Sequence, residues 1–182
     1  MGGWNSWVLV MFTIARISFF VLQAFCIAPF VGAGSALARE VVAFSAAATP
    51  GTIVVKTNER RLYYVTGDGR AIRYPVGVGR NGKQWAGETF IDGKYVKPAW
   101  TPPEEVRLDK PTLPHVIPGG VPSNPMGAAA MTLNGGEYAI HGTNDPKSIG
   151  GFVSYGCIRM HNQDIVDLYG RVSVGTPVVV VR

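Results

Sequence analysis

The chain has 182 residues, with 17 Lys and Arg against 12 Asp and Glu, a formal net charge of +5, and only two cysteines. Hydrophobic residues at 47% against 16% charged exclude a disordered polyelectrolyte, and two cysteines exclude a disulfide-rich scaffold or a paired-cysteine zinc site. Arg60-Arg61 is the one adjacent basic pair, so the clustered stripe of a nucleic-acid-binding protein is missing and no nucleic-acid partner is expected.

Residues 1–38 carry one charged side chain, Arg16. It precedes the apolar run from Ile17 to Ala28, then Pro29, then small residues ending in Ala36-Leu37-Ala38. A basic residue, an apolar core, a helix breaker and an Ala-x-Ala end are the parts of a secretory signal peptide. An uncleaved anchor is the alternative, and a membrane partner is expected only in that case. Cleavage leaves 144 residues (182 less the 38 of the leader), removes Cys26, and leaves Cys157 as the single cysteine. The chain is then extracytoplasmic or periplasmic, where an unpaired thiol suggests intermolecular pairing, a reactive nucleophile, or a buried apolar side chain.

Residues 39–51 read as a linker and 52–182 as one domain. Between 39 and 182 there are 19 glycines and 12 prolines, which disfavours a helical bundle. Short apolar runs between turn signals predict a mainly β fold. Thr52–Lys56, Arg61–Val65 and Ala71–Val78 read as a three-stranded meander. Glu88–Ile91 and Lys94–Val96 read as a hairpin around Asp92-Gly93. Eight prolines between Pro98 and Pro125 predict a long stiff loop without regular structure, either a lid or a plain wrapping loop. Tyr138–His141 returns to strand. One helix is predicted from about Gln163 to Arg171, with Asn162 as its N-cap and Asp164 in its first turn. Val178–Val181 is continuously apolar and reads as a central buried strand.

The chemistry concentrates in Ile140-His141-Gly142-Thr143 and in Ser154-Tyr155-Gly156-Cys157-Ile158-Arg159-Met160-His161. An ordinary thiol is mostly protonated at neutral pH, and an imidazole beside it can take the proton and later return it to a leaving amine. His141 precedes Cys157 by 16 residues, enough for one loop to bring a strand end back to the thiol. The Gly142 carbonyl is placed to orient that imidazole. Amides around Tyr155, Gly156 and Cys157 are candidates for an oxyanion hole, and Arg159 suits a substrate carboxylate. His161 competes with His141 for the role of base, whereas His115 in the proline-rich segment reads as surface. No metal site is expected, because His115, His141, His161 and Cys157 match no usual ligand spacing. Trp85 and Trp100 read as core or groove, and Tyr155 as a further candidate for the groove.

These residues resemble the L,D-transpeptidase catalytic domain (YkuD) family of bacterial cell-wall enzymes. The matching residues are His141-Gly142-Thr143-Asn144 and Ser154-x-Gly156-Cys157-Ile158-Arg159-Met160. Supporting segments are Trp100-Thr101-Pro102-Pro103, Val116–Gly120, Asn124–Gly127, Asp167-Leu168-Tyr169 and Val174-Gly175-Thr176. The resemblance implies a β-sandwich of mixed sheets with one short helix after the cysteine. It implies Cys157 as nucleophile, His141 as base and Gly142 as its orienting carbonyl, with Ser154, Gly156 and Arg159 completing the signature. It further implies attack on a peptidoglycan stem tetrapeptide at the L-centre carbonyl of its third residue, with release of D-alanine. An acceptor amine, from another stem or from a wall-attached protein, then resolves the thioester without any cofactor. Resolution by water, giving an L,D-carboxypeptidase, and a non-catalytic wall-binding module are the alternatives. The chain departs from many relatives at Gln84-Trp85-Ala86-Gly87, where they carry Thr-Pro-x-Gly, and at Tyr155, where some carry histidine.

Overall fold

A computed structural model describes residues 1–2, 39–45, 47–136 and 138–182. The expected leader lies outside these residues apart from Met1 and Gly2. Among the described residues, eleven strands and two α-helices follow in chain order. They are β1 Glu40–Ala43, β2 Ile53–Lys56, β3 Arg61–Gly67, β4 Arg70–Pro75, β5 Val78–Gly79 and β6 Gly87–Val96. After them come α1 Glu104–Asp109, β7 Ala129–Leu133, β8 Ala139–His141, β9 Phe152–Ser154, β10 Ile158–Arg159, α2 Asn162–Arg171 and β11 Pro177–Val181.

Nine strands form one mixed sheet in the order β1-β4-β3-β2-β11-β6-β7-β8-β10, and β5 pairs with β9 in a small parallel ribbon. Val178–Val181 is central as predicted, running parallel to β2 on one side and antiparallel to β6 on the other. The long strand β6 is shared between the two halves of the sheet. One apolar cluster joins Ile53, Leu62 and Tyr74 of the first half to Met131, Ile140 and Ile158 of the second, with Ile165 and Leu168 of α2. A single cluster that takes side chains from both halves is what makes this mixed sheet a sandwich around one core.

Four local expectations change. The segment 88–96 is one strand, not a hairpin: the register shifts between Ile91 and Gly93, so Asp92 and Gly93 form a bulge instead of a turn. The Thr132 hydroxyl of β7 donates to the displaced Asp92 carboxylate, which anchors the irregularity. The segment 39–51, expected as a linker, contributes β1 to the sheet edge against β4. Its physical reason is a second apolar face: Val54, Tyr63, Val65 and Ala71 point away from the main core and are covered by Phe44, which stacks on Tyr63 at 4.9 Å. The proline-rich segment holds a helix after all. α1 begins directly after Pro102-Pro103, with Glu104 and Glu105 in its first turn, where fixed φ and negative charge both favour a helix start. Finally, α2 begins at Asn162 with His161 as its cap residue, and Asn162 does not cap it.

Candidate active site

Strands β8 and β10 run parallel, with Ile158 opposite Ile140 and Arg159 opposite His141. Ile140 and Ile158 point into the core, at 0% and 1% exposure. Side chains alternate along a strand, so His141 and Arg159 share the opposite face, and Cys157, one residue before β10, lies on that face as well. The backbone continues the pairing, the Met160 amide donating to the His141 carbonyl at 2.8 Å. Register therefore sets the imidazole and the guanidinium side by side, and the Arg159 charge acts on both the imidazole and the thiol.

His141 is buried, and its Nδ1 lies 2.7 Å from the Gly142 carbonyl oxygen. A carbonyl only accepts, so Nδ1 carries the proton and Nε2 keeps its lone pair. Burial drives the ring from its ordinary 6.5 down to about 4, the Arg159 charge adds to the fall, and the carbonyls of Gly142 and Pro125 oppose it. The Cys157 thiol is pushed up by burial, while the Ala139 amide and Arg159 favour the thiolate. The resting pair is thus a neutral imidazole and a protonated thiol. Among the described residues no hydrogen bond joins the Cys157 sulfur to another side chain. Such catalytic contacts commonly tighten only when substrate arrives.

Ser154 and Gly156, which complete the signature, are buried inside the turn. The Ser154 hydroxyl donates to the Cys157 carbonyl at 2.6 Å and accepts from the Gly156 amide at 3.1 Å. That commits the Gly156 N–H and removes it from the expected oxyanion set. The Gly156 carbonyl accepts from the Trp85 indole at 2.9 Å. Trp85 in turn stacks on Tyr138, centroids 5.0 Å apart and planes within 8°. Gly156 has φ +127, and a Cβ there would lie 2.2 Å from the Tyr138 ring. Only glycine fits this backbone and this close approach. Tyr155 is partly exposed; its hydroxyl donates to Asp109 of α1 at 2.5 Å, and the Arg80 guanidinium lies 4.0 Å from its ring centroid.

The other side of the site is held by two asparagines that sequence reasoning missed as functional. The Asn162 carboxamide accepts from the Ala128 and Thr143 amides at 2.9 and 3.1 Å and donates to the Thr143 carbonyl at 2.9 Å. This explains why it does not cap α2. It also explains Gly142, where a Cβ would lie 2.3 Å from the Asn162 Oδ1. Asn124, 3% exposed, donates to the carbonyls of Pro98, Ile117 and Pro118 and accepts from the Met126 amide. It fastens the proline-rich segment beside Pro125, whose carbonyl acts on His141. The available signal was their place in two motif segments, Asn124–Gly127 and the turn into α2. His115 is exposed, and His161 contributes its carbonyl to the first turn of α2. Trp100 pairs through its backbone with Ile117 within the proline-rich segment.

Two cavities adjoin these elements. One of about 250 Å³ is lined by Lys97, Asn124, Gly127, Thr143, Asn144 and Asn162. The other, of about 400 Å³, is lined by Arg80, Lys110, Asp145, Lys147, Tyr155 and Arg159, with Ser148 and Val153.

Comparison with known proteins identifies the family and the fold. The family described as L,D-transpeptidase catalytic domain (YkuD) matches residues 50–180. The chain is 43% identical over 135 residues to the probable L,D-transpeptidase YbiS of Escherichia coli, covering 69% of this chain and 43% of that one. It is 36% identical over 131 residues to a putative L,D-transpeptidase of Fuscovulum blasticum, covering 71% and 68%. The chain therefore spans less than half the length of YbiS, and about two thirds of the Fuscovulum protein. Among solved structures, an L,D-transpeptidase from Mycobacterium tuberculosis superposes with a TM-score of 0.55 at 17% identity, over 72% of this chain and 57% of that one. The catalytic domain of the E. faecium L,D-transpeptidase, acylated by ertapenem, gives 0.54 at 20% identity, over 71% and 95%. At such identities the superpositions speak for the fold.

Proposed function

The chain belongs to the L,D-transpeptidase catalytic domain family, and on that premise we propose that it is a peptidoglycan L,D-transpeptidase with Cys157 as nucleophile, His141 as base and the Gly142 carbonyl as the group that orients it. The observation that supports this reading is the β8–β10 register, which sets Arg159 opposite His141 with Cys157 two residues before it, together with the Nδ1–Gly142 contact. Substrate entry excludes water and brings the thiol to Nε2. The proton passes to Nε2 as sulfur attacks the L-centre carbonyl of the third stem residue, so the thiolate forms during attack. The C–N bond to D-alanine then breaks, and the imidazolium returns its proton to the departing amine. An acceptor amine attacks the thioester, loses its proton to His141, and releases the sulfur, which regains that proton. The amides of Tyr155 and Cys157 are the donors for the tetrahedral oxyanion, since Ser154 holds that of Gly156.

The acceptor is a second stem peptide, giving a 3–3 cross-link, or an amine on a wall-attached protein. The reaction takes place outside the cytoplasm, in the periplasm, and the leader read in residues 1–38 supports that placement. Among the described residues no helix is long and apolar enough to cross a membrane. Incubation of the purified chain with tetrapeptide muropeptides, followed by mass spectrometry, tests the proposal. Wild type is expected to release D-alanine and form dimers. Cys157→Ala is expected to lose at least about 10⁴-fold in rate, as for other nucleophile deletions. Equal behaviour of the two proteins overturns the reading.

A further inference from the structure

The larger cavity borders the proposed thiol site, sharing Tyr155 and Arg159 with it. Four of its lining side chains are cations, Arg80, Lys110, Lys147 and Arg159, against one carboxylate, Asp145. Two of the four are fixed. Arg80 is clamped on the Tyr155 ring at 4.0 Å by Asp109 at 2.9 Å and Glu105 at 3.8 Å. Arg159 is set by its register on β10, and its Nε is buried with no hydrogen-bond partner among the described residues. A buried guanidinium N–H without an acceptor is uncommon in folded proteins and points to a partner still to come. Lys110 and Lys147 are exposed and form no salt bridge among the described residues. Including Asp109, Glu105 and Lys83 behind Arg80, the local balance is a surplus of two positive charges.

We propose that this cavity is a carboxylate subsite, in which Arg159 and Arg80 bind a free carboxylate of the donor peptide while Lys110 and Lys147 draw it in. The planar guanidinium fork matches a carboxylate, and lysines act as point charges at the rim. Tyr155 and Arg159 of the lining are each two residues from Cys157, so a group one residue along from the attacked carbonyl reaches the cavity. Two carboxylates of the donor fit that distance: the terminal one of D-alanine and one on the side chain of a diamino acid at the third position. The inference rests on the acyl-transfer reading, and the experiment separates the two.

Cys157 of the full chain is alkylated with iodoacetate and with neutral iodoacetamide, in wild type, in Lys110→Gln/Lys147→Gln and in Lys110→Arg/Lys147→Arg. The iodoacetate-to-iodoacetamide rate ratio is expected to fall about threefold in the Gln variant at low salt, to be restored by Arg, and to converge at 1 M salt. In parallel, KM for tetrapeptide donor is expected to rise about fivefold in the Gln variant, with a smaller effect on kcat. Donors amidated at one or the other carboxylate identify the bound group, because only its neutralisation removes the sensitivity to the Gln variant. An unchanged alkylation ratio together with an unchanged KM overturns the subsite even if D-alanine is released. A KM effect that survives amidation of both carboxylates also overturns it. A shifted alkylation ratio in a protein that releases no D-alanine supports the anion site and overturns the acyl-transfer reading.

Discussion

The proposed base and the proposed nucleophile are held by different surroundings. Around His141 the supports are neutral: the carboxamides of Asn162 and Asn124 and the carbonyls of Gly142 and Pro125. Around Cys157 the turn is tied by Ser154 and Trp85 and bordered by cations, with Arg159 beside it and Arg80 on Tyr155. The neutral, buried side keeps an imidazole uncharged at neutral pH. On the charged side Arg159 favours the thiolate, but burial outweighs it and the thiol rests protonated. Arg159 acts on both, lowering the proton affinity of His141 and of Cys157 together. The difference teaches that burial dominates both groups, disfavouring the charged form of each, while the Arg159 charge opposes burial at the thiol and reinforces it at the imidazole.

The largest test of this contrast strikes the nucleophile's turn. Gly156→Ala introduces a side chain at φ +127 and 2.2 Å from the Tyr138 ring. Strain and overpacking together are expected to destabilise the protein by about 3 kcal/mol, a Tm fall of about 6–12 °C. Differential scanning calorimetry reads it. Adding Tyr138→Ala should recover part of the loss by removing the clash while the strained dihedral remains.

On the base's side the contrast is read by pH. His141 titrates at about 4 when folded, against its ordinary 6.5. Between those values the unfolded chain binds a proton that the folded chain does not. This contribution to stability is complete above 6.5 and is lost as the pH falls toward 4. From pH 7 to pH 5 the expected loss is about 2 kcal/mol. Urea unfolding at both pH values checks it, with His141→Gln expected to lose less by that amount. Asp164, whose carboxyl is raised by burial, works in the opposite sense, and comparison of the two proteins removes its effect. Equal pH sensitivity in both would show that His141 is not the dry group described here.

The smallest effect isolates one hydrogen bond. Trp85→Phe keeps an aromatic ring against Tyr138 but removes the indole donor to the Gly156 carbonyl. A loss of about 1 kcal/mol is expected, and it should fall on acylation as about a fivefold lower kcat with KM nearly constant. A change in stability alone, with kcat intact, would make Trp85 a packing residue.

Much of this was legible in the chain itself. The meander β2–β4 and the valine strand β11 follow from apolar runs between turns, and α2 from one apolar face with a charged start. The proposed pairing of His141 with Cys157 came from the family resemblance, because residue type and spacing alone left His161 in competition. Other features needed a partner to exist. Asp92-Gly93 is locally a good turn, and only β7 alongside turns it into a bulge. Four residues of β1 carry no strong pattern, and only the apolar outer face of β3 and β4 explains why they are ordered. Asn162 looked like a helix cap because a cap is the local use of that residue; its actual partners are 34 and 19 residues away.

The sequence by itself therefore determined the mainly β class and pointed to the proposed nucleophile–base pair with a glycine next to each, because these depend on local periodicity and on residue chemistry. Tertiary structure alone decided which amides and carbonyls are free, which cations converge on one cavity, and that His141 rests neutral. Those properties depend on burial and on groups distant in the chain, and burial is set only when the two halves of the sheet close over one core.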